Sequence, residues 1–197
     1  MKKLLAILLL ALVMPINTML GGGDKIYWTS DVQLTWKDFK KEVPKTSKSK
    51  NHGFVGIDID NGQKDDNTLQ VTVHAYFLKS GSSKPDEAGQ TDEALHHEQY
   101  RFNLAEVYAR KIKKQISDST FKTAGKFYVV ASKITKQASK DCSDAQHRYD
   151  DETKNGAIDT AQSRWDKYID GQMQKYSAYD ESSMDVTVEK KITKDIK

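Results

Sequence analysis

The feature that most restricts the fold of this chain is a change in the spacing of its apolar residues near residue 90. Before that point, apolar and polar residues alternate, which is typical of β-strands. After it, apolar residues recur at intervals of three and four, which is typical of amphipathic helices. A chain with its strands first and its helices afterwards is predicted to fold as an α+β domain.

The strand pattern occurs in three segments. KIYWTSDVQLTWKDF predicts a first strand, with apolar residues at Ile26, Trp28, Val32, Leu34 and Trp36. GFVGIDIDNG and NTLQVTVHAYFL predict an antiparallel hairpin with an enlarged turn between them. One face of its second strand should carry Leu69, Val71, Val73, Ala75 and Phe77, and the other face Thr72, His74 and Tyr76.

The helix pattern also occurs in three segments. The spacing predicts long helices over residues 93–117 and about 126–153, and a third one that begins behind a cap at Asp159-Thr160. Thr91 or Asp92 is expected to cap the first helix. PKTSKSKN, at 44–51, is expected to be a polar loop. The tail, 180–197, is predicted either to add an edge strand through Met184, Val186 and Val188 or to be flexible.

The N-terminal residues 1–23 have the layout of a secretory signal peptide: two lysines, an apolar run and then a stretch of glycines. The apolar run from Leu4 to Met14 has 11 residues, and a membrane-spanning helix needs about 20. We therefore expect export to the periplasm or secretion from a bacterial cell, with no stable membrane insertion after the signal is removed. An uncleaved membrane anchor is the alternative. Residues 24–197 have the length of one domain.

The charge of the exported part argues against nucleic acid as a partner. The whole chain carries a formal charge of +3, and without Lys2 and Lys3 it has 29 basic and 28 acidic residues. Basic and acidic residues alternate along the sequence, and no basic stripe with aromatic residues appears. Cys142 is the only cysteine, which excludes an internal disulfide. We interpret Cys142 as a small apolar residue on a helix.

The segment HHEQYRFNLAEVYAR, at 96–110, begins like the zinc helix of a metallopeptidase. In that motif, two histidines four residues apart bind the metal, and a glutamate after the first histidine deprotonates the zinc-bound water. His97 and Glu98 fill the first two positions, so Glu98 stands at the position of the general base. Arg101 stands where the second histidine belongs.

Arginine cannot take the place of that histidine as a ligand. Its guanidinium has no lone pair to offer and stays protonated. Two unit charges about 4 Å apart repel by about 4 kcal/mol at an effective dielectric constant near 20, and a dication would be repelled more strongly. The residues alone leave three interpretations open: a packed helix with a coincidental His-Glu pair, a working site with an unusual ligand, or a site that has lost its metal.

Two separated segments, LHHEQYRFNLAEVYARK and YDDETKNGAIDTAQSRW, resemble motifs of a family of exported bacterial zinc-dependent proteases known as domain of unknown function 922. LTWKDF, at 34–39, is similar to the family's opening strand and turn. The matching residues of the first segment are His97, Glu98, Gln99, Phe102, Glu106, Tyr108, Ala109, Arg110 and Lys111. Those of the second segment are Tyr149, Asp150, Glu152, Thr153, Gly156, Gln162 and Trp165. The resemblance implies a zincin-like fold.

The departures from the family pattern fall on the expected metal ligands. The family's second motif histidine is Arg101, and the histidine of its ETxHG segment, which the resemblance implies as third ligand, is Asn155. Only His97 remains of three imidazoles. Of the other histidines, His96 points about 100° away on the helix, and His147 lies about 12 Å before Asn155 along its helix. His52 and His74 are expected to be surface or half-buried residues.

The leading hypothesis is therefore a degenerate metal site formed by His97, Arg101 and Asn155. Arg101 lies on the same helix face as Glu98 and is expected to hold it by a charge-assisted hydrogen bond. Glu106 is expected to pair with Arg110, and the remaining supporting residues are Tyr149, Asp150 and Glu152. We expect no cofactor and a non-catalytic role in binding or scaffolding an unknown protein or envelope partner. The alternatives are a zinc peptidase with nonstandard ligands and a structural surface protein without a pocket.

Overall fold

In the computed structural model, the residues described are 23–43 and 52–190. Within them the chain forms an α+β domain, in which antiparallel strands precede three long helices. The strands are β1 (Lys25–Tyr27), β2 (Lys41–Glu42), β3 (Val55–Gln63), β4 (Thr68–Leu78), β5 (Ser83–Lys84) and β6 (Ser183–Thr187). The helices are α1 (Asp92–Ser117), α2 (Ala124–Thr153) and α3 (Asp159–Lys175). The predicted signal peptide up to Gly22, the PKTSKSKN loop and residues 191–197 lie outside the described residues.

The main sheet is built around β4. β3 pairs antiparallel with β4 along one edge, from Val55 opposite Phe77 to Gln63 opposite Leu69. β1 and β6 pair antiparallel with the two ends of the other edge of β4. The five apolar β4 side chains expected on one face are all buried against the helices, which confirms the predicted face. The outer edge of β3 has no partner strand among the described residues.

The prediction of a long first strand was wrong. Only Lys25–Tyr27 forms a strand, and Trp36–Asp38 forms a short 3-10 helix. The apolar side chains of the segment between them pack on the core, although the segment itself is not a strand. The backbone N–H of Leu34 donates instead to the side chain of Gln99 on α1, at 2.8 Å. An alternating pattern indicates that every second side chain is buried. Such burial does not require the backbone hydrogen bonds of a β-sheet.

The ends of the helices follow the sequence signals in part. Thr91 caps α1, because its side-chain oxygen accepts from the backbone N–H of Ala94 at 3.2 Å. The expected cap at Asp159-Thr160 was wrong: α3 is preceded by Ile158, which makes no side-chain cap hydrogen bond. The predicted edge strand in the tail is confirmed as β6, where Val186 lies opposite Leu69.

α1 lies at the centre of the domain, in contact with β4 and with both other helices. Because it is enclosed in this way, its polar residues are buried along with its apolar ones. The turn between α2 and α3 passes directly over the N-terminal half of α1. No helix of the described part of the chain is long and apolar enough to span a membrane.

Candidate functional site

His97 is fully buried on α1, and both nitrogens of its ring are engaged. Nδ1 lies 3.2 Å from Oε1 of Gln162 and 3.4 Å from Oγ1 of Thr153. Nε2 lies 3.2 Å from Oδ1 of Asp150. The imidazole is stacked on the ring of Tyr149, with centroids 4.3 Å apart. The ring is thus held in one orientation by residues of α2 and α3.

The turn between α2 and α3 packs closely on His97. Lys154, Asn155 and Gly156 all have positive φ, and Gly156 has a φ of 85°. A Cβ atom on Gly156 would lie 2.9 Å from Cβ of His97, which is too close for any side chain. Gly156 therefore permits both the left-handed backbone and the close approach of the turn to the helix.

The guanidinium of Arg101 lies between two carboxylates. Its Nη1 donates to Oδ2 of Asp150, and its Nη2 donates to Oε1 of Gln146 at 3.3 Å. Its Nε lies 3.8 Å from Oε2 of Glu98, which is an ion-pair distance without a hydrogen bond. The side chain of Arg101 is only 5% exposed, so its positive charge is held inside the protein by these neighbours.

The pKa values of the two carboxylates of the site are shifted in opposite directions. Burial raises the pKa of Glu98, and the charge of Arg101 opposes this only in part. Oε2 of Glu98 also accepts from the backbone N–H of Gly53 at 2.9 Å. For Asp150, burial alone would raise the pKa, but the hydrogen bond from His97 and the charge of Arg101 hold it below its usual value. Glu98 is thus biased towards the neutral form, and Asp150 towards the ionised form.

The donor set of this site does not fit a zinc ion. A catalytic zinc takes three protein ligands and a water molecule. Here Arg101, which stands in place of the second histidine of the sequence motif, binds Asp150 through its guanidinium, and the ring nitrogens of His97 are both engaged by neighbouring residues. The described residues contain no group of three or more His, Cys, Asp or Glu side chains arranged to hold a metal.

The structure brings together five of the eight residues predicted for the site: His97, Glu98, Arg101, Tyr149 and Asp150. Asn155 lies in the turn that packs on His97, but its side chain is exposed and makes no hydrogen bond to His97, Glu98 or Arg101. Glu152 is exposed and accepts from Arg164 and Trp165, at 2.8 and 2.9 Å. Glu106 lies farther along α1 and pairs with Arg110 at 2.9 Å, as predicted.

The expected partner of Arg101 needs a correction. Arg101 does lie on the same helix face as Glu98, but its hydrogen bonds go to Asp150 and Gln146 on α2. Two residues of the site, Gln146 and Gly53, were not predicted. Gln146 lies one helical turn before Asp150, so a search of that helix face for partners of Arg101 could have found it. The contact of Gly53 with Glu98 leaves no comparable signal in the sequence.

The remaining histidines and the cysteine lie where they were expected. His52 and His147 are exposed, His74 is half-buried, and the exposed His96 interacts with Asp166 at 2.9 Å. Cys142 is buried on α2, and burial raises the pKa of its thiol to about 12. Such a thiol stays protonated at neutral pH, so it is no nucleophile.

Comparisons with protein families, with curated proteins and with solved structures found no match to this chain. The relation to the exported zinc-dependent protease family remains a prediction that rests on the two sequence motifs.

Proposed function

We propose that this protein is an exported, zincin-like binding or scaffolding module whose metal site has been replaced by an ion-pair network. One observation carries the proposal: the buried guanidinium of Arg101, the residue that replaces the second histidine of the sequence motif, is bound to Asp150 and lies 3.8 Å from Oε2 of Glu98. It provides a fixed positive charge between two carboxylates, the role that a metal ion would otherwise have. The proposed location is the periplasm or the cell exterior, and the proposed partner is a protein or another envelope component.

The surroundings of Glu98 support a non-catalytic role. A general base must reach a water molecule or a substrate. Glu98 is buried, and its Oε2 accepts from the backbone N–H of Gly53 at 2.9 Å. A side chain at Gly53 would lie 2.3 Å from that oxygen, so backbone closely covers this side of the carboxyl group.

A zinc peptidase with nonstandard ligands is the second candidate, and one contact favours it. Nε2 of His97 and Oδ1 of Asp150, two atoms of types that bind zinc, lie together at a hydrogen-bond distance of 3.2 Å. In that case Arg101 would have to leave Asp150, and Glu98 would act as general base.

Elemental analysis of the purified, dialysed protein tests the two candidates. The proposal expects far less than one zinc ion per chain. Stoichiometric zinc, lost together with peptidase activity on chelation, would instead establish the second candidate.

The variant Arg101→His tests whether this place is a former metal site. It adds a second imidazole beside His97 and Asp150 and removes the cation. We expect zinc to raise the melting temperature of this variant and not that of the wild type. Arg110→His, which also replaces a buried arginine on α1, is the matched control and should not respond to zinc. The double variant with Asn155→His then identifies the third ligand. If it binds zinc no more tightly than Arg101→His alone, the third ligand is Asp150.

A further inference from the structure

A cavity of about 300 Å³ lies between the start of β3 and the middle of α2, with Arg101 among its lining residues. Its polar lining consists largely of hydrogen-bond donors: His52, Ser139, Ser143 and His147 surround it together with Arg101. None of the described residues that line it is acidic. A concave site with a cation, two imidazoles, two hydroxyls and no carboxylate is suited to an anion.

The elements that carry the donors are fixed by the fold. The backbone N–H and C=O of His52 are both hydrogen-bonded to Ser83, at 3.0 Å each. Ser143 and His147 lie one turn apart on α2, so they face the cavity together. Arg101 cannot move away, because Asp150 holds its Nη1. The cation of the site and the backbone that carries its other donors are therefore in place before a ligand enters.

Arg101 retains hydrogen-bonding capacity on the side that faces Gln146. The hydrogen bond from Nη2 to Oε1 of Gln146 is long, at 3.3 Å. A carboxylate is a stronger acceptor for a guanidinium than a neutral amide. A ligand carboxylate can therefore take the place of the Gln146 oxygen at Nη2.

The rest of the lining indicates which anion fits. The charge of Arg101 is already shared with Asp150, so little positive charge remains to balance a dianion such as phosphate. Phe54, Val55 and Ile57 provide apolar surface on the β3 side. A monocarboxylate with an apolar body matches both properties.

We propose that this cavity binds the carboxylate of a ligand with an apolar body, through Arg101 with His52 and His147. The inference rests on the proposed function, because it assigns a ligand class to a site without metal. Two sources share this chemistry: a free organic acid, and the C-terminus of an extended peptide.

The edge of β3 offers a way to recognise a peptide. The C=O of Phe54 accepts from the N–H of Leu78 at 2.8 Å, so in an antiparallel ladder the backbone groups of Val55 and Ile57 point to the other side. That side has no partner strand among the described residues. A peptide with its C-terminal carboxylate at Arg101 could add a strand there.

Calorimetric titration of the purified protein tests the proposal with three probes. N-acetyl-leucine is expected to bind with a Kd of about 1 mM or tighter, and N-acetyl-leucinamide at least about tenfold more weakly. An acetylated tetrapeptide ending in a leucine acid distinguishes the sources. Tighter binding than N-acetyl-leucine, with NMR shifts along 53–57, identifies a peptide terminus; equal binding identifies a small acid. Equal affinity for acid and amide, or no saturable binding up to about 10 mM, overturns the proposal.

The variant Ser143→Asp places a negative charge in the lining from an exposed position on α2. It should weaken binding of N-acetyl-leucine at least about tenfold. Ser132→Asp is the matched control, because it lies on the same face of α2, about 16 Å away, and should bind like the wild type. Equal binding by both variants overturns the proposal. Zinc in the same sample, with binding lost on chelation, would count against the proposed function; absence of both zinc and binding would count against this inference alone.

Discussion

Helix α1 buries charged side chains at two places, and the two clusters differ in what surrounds them. The first cluster consists of His97, Glu98 and Arg101 with Asp150 of α2. The second consists of Glu106, Arg110 and Lys113, all on α1. Both lie inside the protein, and Arg101 of the first cluster also lines the cavity between β3 and α2.

The second cluster is closed. Nε of Arg110 donates to Oε1 of Glu106 at 2.9 Å, and its Nη1 donates to the C=O of Met173 at 3.1 Å. Nζ of Lys113 donates to the C=O of Glu181 at 2.8 Å. These contacts tie α1 to the end of α3 and to the entry of β6, which is a structural role.

The hydrogen bonds of the first cluster are less complete: among the described residues Nε of Arg101 has no hydrogen-bond partner, and the bond from its Nη2 to Gln146 is long, at 3.3 Å. This cluster is also assembled from different elements, since its partners come from α2, α3 and the segment before β3. Buried charge alone therefore does not mark a functional site. A charged donor with a long hydrogen bond beside a cavity is the more specific sign.

The largest loss of stability is expected from a substitution in the second, closed cluster. Glu106→Ala leaves Arg110 and Lys113 buried without their carboxylate, so we expect a loss of about 3–5 kcal/mol in the free energy of unfolding. Urea denaturation measures it. Glu106→Gln, which keeps an acceptor, should lose less. A loss below about 1 kcal/mol for Glu106→Ala would mean that the second cluster is not the structural one.

A smaller loss is expected for Arg101→Ala. Asp150 then loses its cation, but its side chain is 17% exposed and water can reach it. We expect a loss of about 1–3 kcal/mol, measured in the same way. A loss as large as that of Glu106→Ala would remove the difference between the clusters.

The two clusters also differ in how far the sequence predicts them. The pair Glu106–Arg110 was predicted because both residues lie one turn apart on the same helix. The bond from Arg101 to Asp150 was not, because it depends on how α1 and α2 are aligned in space. Periodicity shows which face of a helix is buried, and it does not show which residue of another helix lies opposite.

The same distinction explains which parts of the fold the sequence could predict. The hairpin, the three helices and the strand β6 were predicted because their patterns extend over many residues. The first strand was overextended because the alternation from Trp28 to Trp36 reflects burial without strand pairing. The cavity beside Arg101 could not be predicted, since β3 and α2 approach each other only in the folded protein.

The next prediction concerns how the contribution of Asp150 to stability changes at acid pH. The pKa of Asp150 is depressed in the folded state, so its contribution is present above its unfolded pKa and is lost as the pH falls through the folded value. Asp150→Asn should cost about 1–2 kcal/mol at pH 7, and the difference should shrink below about pH 4. Urea midpoints across the pH range measure it, and a difference that stays constant down to about pH 2 would contradict it.

The variant Glu98→Gln should change the free energy of unfolding in the opposite direction from Asp150→Asn. Because burial raises the folded pKa of Glu98, its contribution is present below the unfolded pKa and is lost as the pH rises through the folded value. The variant removes this loss, so we expect it to be about 1 kcal/mol more stable than the wild type at pH 8. The advantage should vanish towards about pH 4. A variant that is less stable at every pH would indicate that Glu98 is ionised inside the protein.

The smallest effect is expected at Asn155, and it separates a backbone role from a role in the site. Asn155 has a φ of 56°, a left-handed conformation that asparagine and glycine tolerate better than other residues. Its side chain is exposed. Asn155→Gly should therefore change the free energy of unfolding by no more than about 0.5 kcal/mol, and Asn155→Ala should cost about 1 kcal/mol because alanine is strained there. If glycine were as costly as alanine, the asparagine side chain itself would stabilise the turn over His97, and Asn155 would belong to the first cluster.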